Sequence, residues 1–198
     1  AILDMGAGST DASIINAEGQ IHSIHLAGAG NMVTLLIQSE MGLPDFDTAE
    51  DVKKYPLAKV ESLFHIRHEN GTVEFFQQPL DPNLFAKVVI LKEGKLLPLE
   101  GDWNMEKIRL TRQQAKQKVF VTNAIRALTR VSPTGNVRDI QFVVLVGGSA
   151  LDFEVPQMVT DALSQYKVVA GRGNIRGTEG PRNAVATGLV LSLTEGRG

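Results

Sequence analysis

The stretch 2–15, "ILDMGAGSTDASII", decides how the chain is read. The apolar run Ala1–Met5 predicts a short strand. Gly6, Ala7 and Gly8 then interrupt it, Ser9, Thr10 and Asp11 follow, and a second strand pattern starts at Ala12. A sharp glycine turn follows the strand, in which Gly6 and Gly8 allow positive φ and close backbone approach. Successive backbone N–H groups in such a turn form a concave nest for phosphate oxygens, to which Ser9 and Thr10 add hydroxyl donors. Asp4, at the strand end, is placed to face a magnesium ion through water, because magnesium dehydrates reluctantly. The same residues also suit a tight hairpin in which glycine serves geometry alone.

On the C-terminal side of this turn, Ala12–Asn16 and Gln20–Leu26 flank Ala17-Glu18-Gly19, a strand–turn–strand pattern. "NMVTLLIQSEMG", from Asn31, predicts a buried helix stopped by Gly42. Residues 44–108 differ in texture. "DFDTAEDVKK" predicts a short helix capped by Asp47 or Thr48. "LFHIRHENGTVEFFQQ" and "KVVILKEGKLLPL" predict hairpins around Asn70-Gly71 and Glu93-Gly94, with Phe75-Phe76 as core. This piece is expected to be a small α+β insertion at 44–108 in a core made of 1–43 and 109–198.

Thr111 and Gln114 then fit a capping box. The helix behind it carries Ala115, Val119, Thr122, Ile125, Leu128 and Val131 at mostly three- and four-residue spacing. "IQFVVLVGGSA" predicts a buried central strand that ends in glycines. Asp152 can cap a helix with Pro156 in its first turn. "YKVVA" predicts another strand, and "GPRNAVATGLVLSL" a final helix. Helices alternating with buried strands imply a layered α/β sheet.

The totals exclude several classes. A chain of 198 residues can bury a real core. Its net charge of -2 gives no basic field for nucleic acid. It has no cysteine, which excludes disulfides, zinc–thiolate sites and cysteine nucleophiles. No apolar run reaches the ~18 residues of a membrane span, and no signal peptide is expected. The chain opens inside a strand pattern, so it reads as part of a longer protein. "HSIH" and "HIRH" space their histidines three apart, which on strands sends each pair to opposite faces and argues against a metal pair. A serine hydrolase of the G-x-S-x-G type is excluded because the motif is missing.

A second glycine turn, "VVLVGGSALDFEVPQMV", follows a buried strand and precedes a capped helix, the usual place for a nucleotide in an α/β sheet. The two turns in this order resemble the second half of the actin-like ATPase superfamily, which includes actin, sugar kinases and heat-shock chaperones. "LDMGAGSTDASII" resembles its second phosphate motif and "VVLVGGSALDFEVPQMV" its adenosine motif. "AEDVKK", 49–54, is similar to the chaperone helix whose glutamate and lysine clamp adenosine. "LAGAGNMVT", "KKYPLAKVESLFHIRHENG", "VFVTNAIRALTRVSPTGN" and "VAGRGNIRGTEGPRNAVATGL" closely resemble the C-terminal part of the large subunits of diol and glycerol dehydratase-reactivating factors.

That resemblance implies an α/β fold, the second half of an actin-like, ribonuclease H-like ATPase, with a three-strand meander plus two α/β units. It implies ATP or ADP and Mg2+ as ligands. It also implies an ATP-dependent, chaperone-like factor that frees damaged cobalamin from an adenosylcobalamin-dependent dehydratase. The implied partners are the N-terminal part of the large subunit, a small subunit and the dehydratase client, with no nucleic acid and no membrane. The implied setting is the bacterial cytoplasm, with a metabolic microcompartment as a related location.

Carried over residue by residue, Gly6, Gly8 and Ser9 would meet the β- and γ-phosphates, with Asp4 as the catalytic, magnesium-facing carboxylate. Gly148 and Ser149 would lie beside the ribose and adenine, and Glu50 and Lys53 would clamp the nucleoside, with Lys54 less directly placed. An i,i+3 surface ion pair explains Glu50 and Lys53 equally simply. Leu151 stands where the chaperones carry an arginine, and Arg182 where they carry an acid, so Arg182 is the candidate to stack on adenine. Two rivals remain: half of a sugar or acid kinase of the same superfamily, and a non-catalytic interaction module.

Overall fold

The computed structural model describes residues 1–16 and 18–173. The expected final helix at 180–193, its Arg182, and Ala17 lie outside the described residues. The fold has two compact units, 1–32 with 116–173, and 33–115.

In the first unit, β1 (Ile2–Met5), β2 (Ser9–Ile15) and β3 (Ile21–Ala27) form the expected antiparallel meander. The register pairs Asp4 with Asp11 and Met5 with Thr10. β2 therefore starts at Ser9, ahead of its apolar run, because the Gly6 N–H donates to Ser9 O at 3.0 Å and closes the hairpin there. Neither Gly6 nor Gly8 has positive φ. The turn leaves that freedom unused, and Ala7 between them has no positive φ either. Helix α1 (Gly30–Met41) ends as predicted at Gly42, which has φ 65°, with the Leu43 N–H donating to Gln38 O at 3.0 Å. His22 and His25 both lie on β3, and an odd spacing puts them on opposite faces.

The second unit carries α2 (Phe46–Lys54), β4 (Leu57–Ser62), β5 (His65–His68), β6 (Val73–Phe75), β7 (Val88–Lys92) and β8 (Lys95–Pro98). Its strands form one antiparallel sheet in the order β6-β5-β4-β7-β8. Both predicted hairpins are present, and Glu93 and Gly94 take φ 50° and 77° at the second. The cap of α2 is Asp45, not Asp47 or Thr48. Its extended backbone lets its carboxylate accept from the Thr48 N–H at 2.7 Å, while Asp47 faces the positive end of the helix dipole. Ala58, Val60, Ile66 and Val89 form the core of one sheet face, with Phe76 packed on them. Phe75, its neighbour, is 76% exposed, so only one of the two phenylalanines serves as core.

Helix α3 (Met105–Lys116) is capped by Asn104, whose side-chain oxygen accepts from the Lys107 N–H at 3.0 Å. Thr111 thus lies inside the helix, where a capping-box pattern has no orphan N–H to satisfy. The helix continues through a π-helical stretch, Gln117–Val121, into α4 (Thr122–Val131). Then follow β9 (Phe142–Val146), α5 (Val155–Ser164) and β10 (Val169–Arg172). β9 runs parallel to both β1 and β10, giving the sheet order β10-β9-β1-β2-β3. This is the predicted meander joined to two α/β strands. α4 packs on β2 and β3, and α5 on β10. The buried set includes Leu3, Met5, Val143 and Leu145 from strands and Leu128, Val159 and Leu163 from helices. Each large apolar side chain there contributes about 1.5–3 kcal/mol by leaving water.

Candidate nucleotide site

The parallel pairing of β1 and β9 brings the C-terminal ends of two strands together, and each ends in a glycine turn. Gly147 is the joint. Its φ is 88°, and a Cβ there would stand 2.3 Å from Asp4 Oδ1 and 2.7 Å from Met5 O. No other residue fits without moving β1. The Ser149 hydroxyl then donates to Gly6 O at 3.1 Å and ties the second turn to the first.

The first turn is held from behind by backbone. Its carbonyls at Gly6, Ala7 and Gly8 accept from the N–H groups of Gly30, Asn31 and Gly28 at 3.2, 2.7 and 2.9 Å. Asn123 of α4 fixes that supporting loop by donating to Gly28 O at 2.8 Å, and the Thr10 hydroxyl donates to the same oxygen at 3.1 Å. The N–H groups of Ala7 and Gly8 donate to nothing among the described residues, and both residues are exposed. With the carbonyls consumed, the turn offers outward the donor side that an anion needs.

Glycine at 8 and 148 is not demanded by the protein itself. Neither has positive φ, and a Cβ at either would meet nothing within 4 Å. Both are exposed. Bare backbone beside open space is what close approach of a ligand requires.

Asp4 is half-buried beside these turns. Burial pushes its carboxyl pKa up, and the charge of Asp11 adds to the shift. Asp11 lies opposite it in the register, with Oδ2 accepting from the Ser9 hydroxyl at 2.9 Å and Oδ1 standing 2.5 Å from Nδ1 of His25. The Ser9 hydroxyl is therefore engaged by Asp11. Among the described residues no group of three or more His, Cys, Asp or Glu is arranged to hold a metal by itself. A carboxylate pair next to a turn with exposed N–H groups does fit magnesium, which takes few protein ligands and completes its shell with water and substrate oxygens.

Asp11, His25 and Asn123 do not stand out in the sequence, whereas Gly147 is legible there as part of the second glycine turn. Register was the available signal for two of them: once β2 starts at Ser9, Asp11 falls opposite Asp4 and His25 opposite Asp11. Leu151, at the position of the chaperone arginine, is 47% exposed.

Glu50 and Lys53 belong to the other unit, within α2. Lys53 donates to Glu50 Oε2 at 2.6 Å and to the Thr34 hydroxyl at 2.8 Å, and Lys54 reaches Glu50 Oε1 at 2.7 Å. The Thr34 hydroxyl also donates to Glu50. Burial pushes the Glu50 carboxyl up, but hydrogen bonds from Lys53, Lys54 and Thr34 outweigh it and hold it at about 2. The pair is formed, and Lys53 is buried, so it is more than a solvated surface contact.

Residues 1–193 match the family described as the diol dehydratase reactivase ATPase-like domain. The chain belongs to that family. The chain is 69% identical over 192 residues to the propanediol dehydratase-reactivating factor large subunit of Citrobacter freundii, covering 97% of this chain and 32% of that protein. It thus spans about a third of the length of the curated relatives it matches. Among solved structures it is similar to a glycerol dehydratase reactivase (TM-score 0.91, 70% identity, 98% of this chain and 32% of that one). It is equally similar to a diol dehydratase-reactivating factor in nucleotide-free form (TM-score 0.91, 68% identity, 98% and 32%). A more distant likeness is to MreB 5 of Spiroplasma citri bound to AMPPNP (TM-score 0.53, 20% identity, 96% and 51%). At that identity the likeness concerns the fold, and the chain has the fold of one half of an actin-like ATPase.

Proposed function

We propose that this reactivase domain supplies the second-phosphate and nucleoside half of an ATP site in a larger reactivating factor. The complete factor uses ATP to release damaged cobalamin from an adenosylcobalamin-dependent diol or glycerol dehydratase. It works with the remainder of the large subunit, a small subunit and the dehydratase. The observation that carries the reading is the outward-facing donor nest at Ala7 and Gly8, set beside the bare backbone of Gly148.

Each residue has a physical task. The N–H groups of Ala7 and Gly8 receive phosphate oxygens and stabilise charge that develops on the transferring group. Gly148 lets the nucleoside lie against the chain. Asp4 and Asp11 would hold a hydrated magnesium ion, with Ser9 and His25 keeping the Asp11 carboxylate in place. Magnesium, when bound, neutralises phosphoryl charge. Residues 44–108 form the nucleoside-clamping insertion, with Glu50 and Lys53 as its contacts. Arg182 is assigned to adenine by the sequence resemblance alone. The nucleotide biases two arrangements of the factor, and the client reads the difference.

Asp4 also bears on purpose. A carboxylate whose pKa is raised costs stability once ionised, so its charge is kept at the turn against the interest of the fold. In the complete large subunit, Asp4→Asn should slow single-turnover ATP cleavage by about 100-fold and leave ADP affinity within a few-fold. At neutral pH its melting temperature should not fall below that of the wild type. Equal losses in cleavage and ADP affinity, or no loss in either, would contradict the assignment.

A further inference from the structure

Helix α3 carries two fully buried cations one turn apart, Arg112 and Lys116. Arg112 serves the unit at 33–115, where it donates to both oxygens of Glu69 at 3.0 Å. Lys116 serves the unit that holds the glycine turns. It donates to Asp152 Oδ1 and to Glu154 Oε2, each at 2.8 Å, and its ammonium lies 4.6 Å from the centre of the Phe153 ring. The two carboxylates are nearly as buried, at 9% and 11% exposure.

The cluster sits at the end of the nucleoside turn. The Asp152 N–H donates to Ser149 O at 3.2 Å and closes the turn. Asp152 Oδ1 accepts from the N–H groups of Glu154 and Val155 at 2.9 and 3.1 Å, so the same oxygen caps α5. One ammonium faces two carboxylates, and the helix N-terminus offsets the remaining negative charge. Buried ion clusters of this kind add little net stability over apolar packing, while their geometry is exacting. The segment 147–152 is thereby fixed at both ends: by Gly147 against Asp4 at the start, and by Asp152 against Lys116 at the finish. Lys116 also immediately precedes the π-helical stretch, a distortion frequent at functional sites.

We propose that Lys116 is a positioning residue for the nucleoside turn. Through Asp152 and Glu154 it sets where Gly148 presents its bare backbone. The proposal rests on the nucleotide reading above.

The test uses the complete large subunit. Lys116→Met leaves Glu154 buried without its cation, so Lys116→Met/Glu154→Met, which removes both, is the informative variant. Its melting temperature without nucleotide should return close to that of the wild type. Its ADP affinity should remain weakened on the order of tenfold, since the turn is no longer held in place. Hydrogen exchange at the Ala150 and Asp152 amides should quicken while the sheet amides stay protected. Should the double variant fail to fold, Asp152→Asn decides. Asparagine still caps α5 but carries no charge for Lys116, and a folded variant with weakened ADP binding is expected. Wild-type ADP affinity and wild-type exchange in either folded variant would overturn the role of Lys116 alone. Failure of the wild type to bind ADP would overturn the nucleotide reading and this proposal with it.

Discussion

The turn after β1 and the turn after β9 lie side by side, yet they are held in different ways. The first is fixed by backbone: its three carbonyls take N–H groups from the loop at 28–31. The second is closed by its own backbone bonds, Ala150 N–H to Gly147 O and Asp152 N–H to Ser149 O, but is fixed to its surroundings by what side chains do and leave undone. It needs the missing Cβ at Gly147, the Ser149 hydroxyl, and Asp152 bound to Lys116. A turn held by backbone tolerates side-chain replacement, because the groups that hold it are present in every residue but proline. A turn held by side chains can be loosened by one substitution. The first turn is thus the robust one of the pair and the second the adjustable one.

Mutations that spare the ligand should expose this contrast. Gly147→Ala should have the largest effect, since it combines positive φ with a collision against Asp4 and Met5. A loss of roughly 3 kcal/mol or more is expected by denaturant unfolding. A loss below about 1 kcal/mol would put the two turns on the same footing. Ser149→Ala removes one hydrogen bond to Gly6 O and should cost about 1 kcal/mol. Ala7→Gly and Gly8→Ala in the backbone-held turn should each change stability by less than about 0.5 kcal/mol. A larger effect at Gly8 would mean that this turn, too, depends on its side chains.

A further expected effect, one seen only in acid, lies in the other unit. The Glu50 carboxyl is held at about 2 against an ordinary 4.5. Its contribution is fully present above the ordinary value and is lost as pH falls through about 2. Over that window the melting temperature of the wild type should fall more steeply than that of Glu50→Gln. Parallel slopes would mean that the Lys53, Lys54 and Thr34 contacts are not maintained in solution.

Much of the fold was legible because it is written in short-range patterns. An apolar run gave β1, strand patterns on either side of Ala17-Glu18-Gly19 gave β2 and β3, the two hairpins declared themselves through Asn70-Gly71 and Glu93-Gly94, and Gly42 ended α1 where a left-handed residue was needed. The two glycine turns were legible for the same reason. Caps were less so: Asp45 and Asn104 act through backbone geometry that a motif three residues long does not specify. Arg112 and Lys116 were not legible. Long cations in a helical pattern read as solvent-facing, and the carboxylates that allow their burial are 43, 36 and 38 residues away. Asp11 and His25 were hidden by a strand start that hydrophobicity does not mark.

The central claim is that bare backbone at Gly148 receives a nucleoside. A Cβ at this position meets nothing of the protein within 4 Å, so Gly148→Val should leave the fold intact. In the complete large subunit, far-ultraviolet circular dichroism should match the wild type while calorimetry shows that ADP binding is lost. The branched side chain would occupy the space that the nucleoside needs. A folded Gly148→Val protein that binds ADP as the wild type does would reduce Gly147-Gly148-Ser149 to a structural turn and contradict the account.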